Sequence, residues 1–201
     1  MGMNFKKLMI IAGGALCVSL PVASSHAAVL VLGGGLAQMC YEAAREVDEP
    51  GMYQITGSRI DIPPVEICTI AIGAGELSAR DLAGTHNNRG VLLFSERKFE
   101  EALRDFDQGI RHQSSIAELH VNRGASLVAM KRWADSVPSL NKGIELGALE
   151  LEKAYYNRGI AHEELGDVRR AYFDYVKAAE LDPTWEDPKA QLTRFTIRKK
   201  P

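Results

Sequence analysis

The tripeptide Asn-Arg-Gly occurs three times, as Asn88-Arg89-Gly90, Asn122-Arg123-Gly124 and Asn157-Arg158-Gly159, with the glycines 34 and 35 positions apart. Other positions hold the same register. Twelve residues after each glycine stands a small residue: Ala102, Ser136 and Ala171. Four further on is a large apolar one, Phe106, Leu140 or Tyr175, and three beyond that a small one again, Gly109, Gly143 or Ala178. A period of this length marks a supersecondary unit that is stacked on copies of itself. Within each unit, two segments such as residues 86–95 and 99–111 place apolar side chains at three- and four-residue spacing, the pattern of amphipathic helices. The small residues let two antiparallel helices approach, and the large one fills the groove between them. Gly166-Asp167 supplies a short turn between the helices of the third unit. One such pair cannot bury its own apolar face, so the units must stack.

Residues 83–185 thereby resemble three consecutive tetratricopeptide repeats, at 83–116, 117–151 and 152–185. The third unit, ending in Glu180-Leu181-Asp182-Pro183, has the fullest pattern. The first ends in Ser114 instead of proline; the second has Ser136 at the alanine place and Pro138 inside its second helix. An interior proline costs about 3 kcal/mol or a kink, so that helix is expected to bend or start late. The resemblance implies an all-α, right-handed α-solenoid. It also implies a concave groove lined by first helices: Asn87, Val91 and Phe94, then Val121, Ala125 and Val128, then Tyr156, Ile160 and Glu163. That set is more apolar than a solvated face should be, and exposed apolar patches mark contact sites. A C-terminal helix folded into the groove would bury it instead. Some proteins of this family grip a C-terminal carboxylate with Lys and Asn side chains. Asn122 and Lys153 fall at two such places, but Asn87, Val91 and Asn157 stand where Lys, Asn and a basic residue belong. The clamp is incomplete, which argues against cytosolic chaperone tails as ligands.

The first 27 residues read as a secretory leader. Residues 1–7 carry Lys6 and Lys7 and no acid, residues 8–20 form an apolar run of 13, and Ser25 and Ala27 fit a small-x-small cut after Ala27. The run is short for the roughly 30 Å of a bilayer core. Lipid attachment at Cys17 is the rival; the bulky Leu16 directly before it fits that signal poorly. A periplasmic or secreted protein, with no stable membrane insertion after cleavage, is the expectation. Cys40 and Cys68 then remain as an even pair in an oxidising space, which predicts a disulfide. Residues 28–82 are expected to form a helical cap, with helices over 36–47 and 65–72 as a degenerate repeat. Ser78 is a candidate N-cap for the next helix. Residues 186–201 are expected to form a capping helix, from Asp187 to Ile197.

With 24 Lys+Arg against 26 Asp+Glu, the net charge of −2 argues against a nucleic-acid binder. Residues 29–35 (VLVLGGG) look like part of a dinucleotide fingerprint, but Gln38 occupies the third glycine place and no strand–helix alternation follows. The segment His162-Glu163-Glu164-Leu165-Gly166 lacks the second histidine of a zinc-protease helix. His86 and His120 sit at equivalent places where the third unit has Tyr155, which favours packing over metal binding. No nucleophile elbow is present. No catalytic residue, metal or cofactor is expected. The reading is a non-enzymatic scaffold or adaptor for a protein or peptide, with a self-associating envelope component or an accessory subunit of an envelope enzyme as alternatives.

Overall fold

The computed structural model describes residues 8–12, 23, 28, 35–46 and 62–199. In chain order these form strand β1 (Leu8–Ala12), helices α1 (Leu36–Arg45), α2 (Pro64–Gly73), α3 (Ala79–Ser95), α4 (Phe99–His112), α5 (Ala117–Ala129), α6 (Trp133–Leu146), α7 (Leu151–Glu164), α8 (Val168–Leu181) and α9 (Glu186–Leu192), and strand β2 (Phe195–Lys199). The architecture is an α-helical solenoid. Helices α3–α4, α5–α6 and α7–α8 pack as hairpins, and each hairpin stacks on the next through α4 against α5 and α6 against α7.

The repeated residues explain this packing. A Cβ on Gly90 would come within 2.5 Å of the Phe106 ring, one on Gly124 within 2.5 Å of Leu140, and one on Gly159 within 2.8 Å of Tyr175. Those glycines let each first helix lie against the large residue of its second helix. At the second small place, a Cβ on Gly109 would meet Leu119 of the next unit and one on Gly143 would meet Val121 of its own hairpin, both at 2.4 Å. The arginine of the tripeptide fastens the two helices of a hairpin. Arg89 donates to both carboxylate oxygens of Asp105 at 2.7 Å, and Arg158 to both of Asp174 at 2.9 and 2.6 Å. In the second unit Ser139 holds the corresponding place, and Arg123 donates to it and to Asp107. The turns share one geometry: Arg97, Lys131 and Gly166 are all left-handed, with φ of 60°, 59° and 80°.

Helix α6 departs from expectation. It starts in register with α4 and α8 and is continuous across Pro138. Pro138 and Ala134, whose carbonyl loses its helical donor, both lie on the exposed side, where water can serve that carbonyl.

At the N-terminal end α1 and α2 pair and pack on α3, and Cys40 and Cys68 form a disulfide with their Cα atoms 4.9 Å apart. Val47, expected to end the α1 stripe, lies outside the described residues. Ser78 caps α3 by accepting from the Asp81 N–H at 3.1 Å. At the other end the expected helix over Asp187–Ile197 is only partly formed. Helix α9 stops at Leu192, and β2 pairs antiparallel with β1, Ala12 opposite Phe195 and Leu8 opposite Lys199. Phe195, Thr196 and Ile197 are aromatic or β-branched, types that suit a pleated strand better than a helix end.

Candidate functional site

The first helices α3, α5 and α7 lie side by side, α3 touching α5 and α5 touching α7. The nine sequence-selected groove residues all sit on them, but not as an open apolar face. Asn87, Val91, Val121, Ala125, Val128, Tyr156 and Ile160 are at most 1% exposed, and Phe94 and Glu163 are half-buried. The expectation of an exposed patch is therefore corrected, because packing between the helices and against other segments buries these residues.

The covering differs along the stack. Val91 and Phe94 join an apolar cluster with Cys40, Ala44, Ile67 and Cys68 of the N-terminal pair, against which Ala28 also packs. Val121, Val128, Tyr156 and Ile160 join a second cluster with Ala23, against which Trp185, Leu192 and Phe195 pack. The Tyr156 ring lies 4.7 Å from Trp185 and 5.6 Å from Tyr175. Burial, followed by the Asp187 charge, pushes the Tyr156 hydroxyl up to about 12. Glu163 accepts hydrogen bonds from the Tyr175 hydroxyl at 2.9 Å and from Arg194. The C-terminal segment thus occupies much of the third unit's inner side.

Polar groups on the same helices form a ladder. Asn122 donates its Nδ2 to Asn87 Oδ1 at 2.9 Å. One unit further, Asn157 meets main chain instead: the Ala23 N–H donates to Asn157 Oδ1 at 3.0 Å, and Asn157 Nδ2 donates to the Ala23 carbonyl at 2.9 Å. Ala23 is 9% exposed. Sequence reading did not single out this contact. The recurrence of asparagine in register was visible, but its meeting with a residue 134 positions away was not.

The outer side carries a cleft of about 470 Å³ lined by Val137, Asn141, Arg158, His162, Arg170, Phe173 and Asp174. Its charges are already paired, Arg158 with Asp174, and burial lowers the His162 imidazole below its ordinary value. His86 bonds Asp105 at 2.9 Å and stacks on His112, while His120 bonds the Ser114 carbonyl at 2.8 Å. Burial alone would raise the Asp105 carboxyl; hydrogen bonds from Arg89 and His86 outweigh it and hold the group below the usual carboxylate range. Among the described residues no three His, Cys, Asp or Glu side chains gather as a metal site, and no helix is long and apolar enough to cross a membrane. Residues 29–34 of the glycine-rich fingerprint lie outside the described residues. The carboxylate-clamp place Lys153 is engaged by Glu150 at 2.5 Å.

Residues 152–184 match the tetratricopeptide repeat family. The fold is a tetratricopeptide-repeat solenoid. Among curated relatives, the Hsp70-Hsp90 organizing protein of Triticum aestivum is 36% identical over 104 residues, 52% of this chain and 18% of that protein. The mitochondrial import receptor subunit TOM70 of Rattus norvegicus is 23% identical over 177 residues, 80% of this chain and 29% of that protein. The chain spans less than a third of the length of these relatives. Among solved structures, the first TPR of Spaghetti (RPAP3) bound to the HSP90 peptide SRMEEVD has a TM-score of 0.53 at 25% identity. It covers 58% of this chain and 90% of that one. The repeats of this chain therefore share their fold with a domain solved with a peptide bound.

Proposed function

We propose that this protein is a non-enzymatic scaffold that holds a peptide or protein segment against the inner face built by α3, α5 and α7. The observation that carries the reading is the stack itself: three in-register first helices side by side, in a fold that a solved relative uses with a bound peptide. Binding is then a matter of apolar walls and main-chain hydrogen bonds, with no reacting group required. The site residues are those named from the repeat register, Asn87, Val91, Phe94, Val121, Ala125, Val128, Tyr156, Ile160 and Glu163, once the covering segments yield. The ligand is not an acidic chaperone tail. Val91 and Asn157 replace clamp residues, and Lys153 is paired with Glu150.

The proposed compartment is the periplasm or the secreted space. The leader-like residues 1–27 support it, as does the Cys40–Cys68 bond, since disulfides persist where thiols are oxidised. Mass spectrometry of the exported protein should then give an N-terminus at Ala28 without lipid; an acylated Cys17 contradicts this address.

The functional test is hydrogen exchange on the full chain with peptides selected for binding from a library of extended decamers. Binders should add protection on α5 and α7, and SRMEEVD should add none. Protection confined to α4, α6 and α8 would overturn the groove reading.

A further inference from the structure

The outer cleft breaks the repeat register at four places. Three residues after the tripeptide glycine the first two units hold Leu93 and Leu127, and the third holds His162. Eleven residues after it the first two hold the acids Glu101 and Asp135, and the third holds Arg170. Fourteen residues after it they hold Arg104 and Pro138, and the third holds Phe173. On the facing second helix, Asn141 stands where the first unit has Asp107. An apolar residue has become an imidazole, two acidic places have become a cation and a carboxamide, and an aromatic ring has been added. Helix pairing does not ask for these changes, since Ala171, Tyr175 and Ala178 fill the packing places of α8.

The four changed residues converge, because all of them line the cleft of about 470 Å³ between α6, α7 and α8. That volume suits a small molecule. His162 is 7% exposed, and its Nε2 stands 3.8 Å from Asp174 Oδ2, beyond hydrogen-bond length. A leucine, as in the other units, would fill the place without burying polar atoms. Burial holds the imidazole below its ordinary value, so at neutral pH it is uncharged and carries one N–H. Both Asp174 oxygens accept from Arg158, so those two charges cancel. Arg170 is the remaining cation of the lining. Its side chain is 71% exposed and meets Asp167 through Nε at 3.4 Å, an exposed pair of a kind that contributes little. Val137 and Phe173, both half-buried, give the cleft apolar sides.

We propose that this outer cleft binds a small organic anion, a carboxylate carried on one aromatic ring or short apolar stem. The carboxylate faces Arg170 and His162, and the body lies between Val137 and Phe173. Arg170 supplies charge and a planar donor fork that matches a carboxylate, and His162 supplies a neutral donor beside it. The site is separate from the inner face, and neither reading depends on the other.

The test titrates the isotope-labelled full chain with 3-phenylpropionate and follows its amides by NMR. The control ligand is 3-phenylpropylamine, with the same ring and a similar stem but the opposite charge. Two variants give the third unit the residues of its neighbours: Arg170→Glu at an exposed place, and His162→Leu at a place that takes leucine twice elsewhere. Arg170→Gln replaces the first if thermal unfolding shows that it fails to fold. The anion should shift amides of α6 and α8 and saturate at about millimolar concentration, as expected for a ligand of this size. Loss of the Arg170 charge should weaken it about tenfold or more, and His162→Leu about threefold or more, without lowering the unfolding temperature. The amine should shift none of these amides. No shift with the anion, shifts confined to α3 and α5, equal affinity of the unaltered chain and either variant, or equal binding of the amine overturns the proposal. Peptide protection on α5 and α7 is read separately, so the scaffold reading survives any of these results.

Discussion

At the scale of single residues, the glycine and its facing large residue are the firmest elements of the fold. Gly124→Ala would drive a methyl group into Leu140, where the ideal Cβ is 2.5 Å from Leu140 Cγ. Overpacking of this kind typically costs about 1–3 kcal/mol, and denaturant unfolding should show a loss of that size. These pairs were legible in the sequence because they recur at fixed spacing. The state of Tyr156 was not. Its burial depends on Trp185, which no local pattern connects to α7. With its folded value raised to about 12, the Tyr156 hydroxyl stabilises the fold fully below its ordinary value of 10.0. That contribution should be lost as pH rises from 10 toward 12, and Tyr175, raised by burial and by Glu163, adds in the same direction. Denaturation midpoints measured across that window should fall; a flat profile would mean that the hydroxyls are solvated.

At the scale of elements, all three hairpins followed the periodicity, α6 included despite Pro138, whereas the C-terminus did not. Proline's cost was weighed without knowing that Pro138 faces water. Pro138→Ala should restore the missing helical bond and raise stability by about 2 kcal/mol, part of the gain being offset by a freer unfolded chain. Thermal unfolding measures this, and no gain would show that the helix is already relaxed around the ring. The α1–α2 pair depends more on its cross-link. The Cys40–Cys68 bond closes a separation of 28 residues, for which chain entropy gives about 3–4 kcal/mol. Cys68→Ser should speed hydrogen exchange in α1 and α2 first and in α5–α8 least, because contacts in such arrays run between neighbours. Uniform loosening of all units would contradict this. The end of α9 was misread because helical spacing near Asp187 was extended through Thr196 and Ile197, whose β-branching favours β2.

At the scale of the whole molecule, the repeat register located the inner face but not what covers it. A register describes each helix against its neighbours. It says nothing of segments that return from either end of the chain, as Trp185, Phe195 and Ala23 do. The central claim is that the inner face built by α3, α5 and α7 holds a peptide segment, and hydrogen exchange on those helices reports on it most directly. With a library-selected decamer bound, amides of α5 and α7 should exchange about tenfold or more slowly than in the free chain, as expected where a ligand suppresses local opening. Unchanged exchange on α5 and α7, with protection gained only on α4, α6 and α8, would contradict the account.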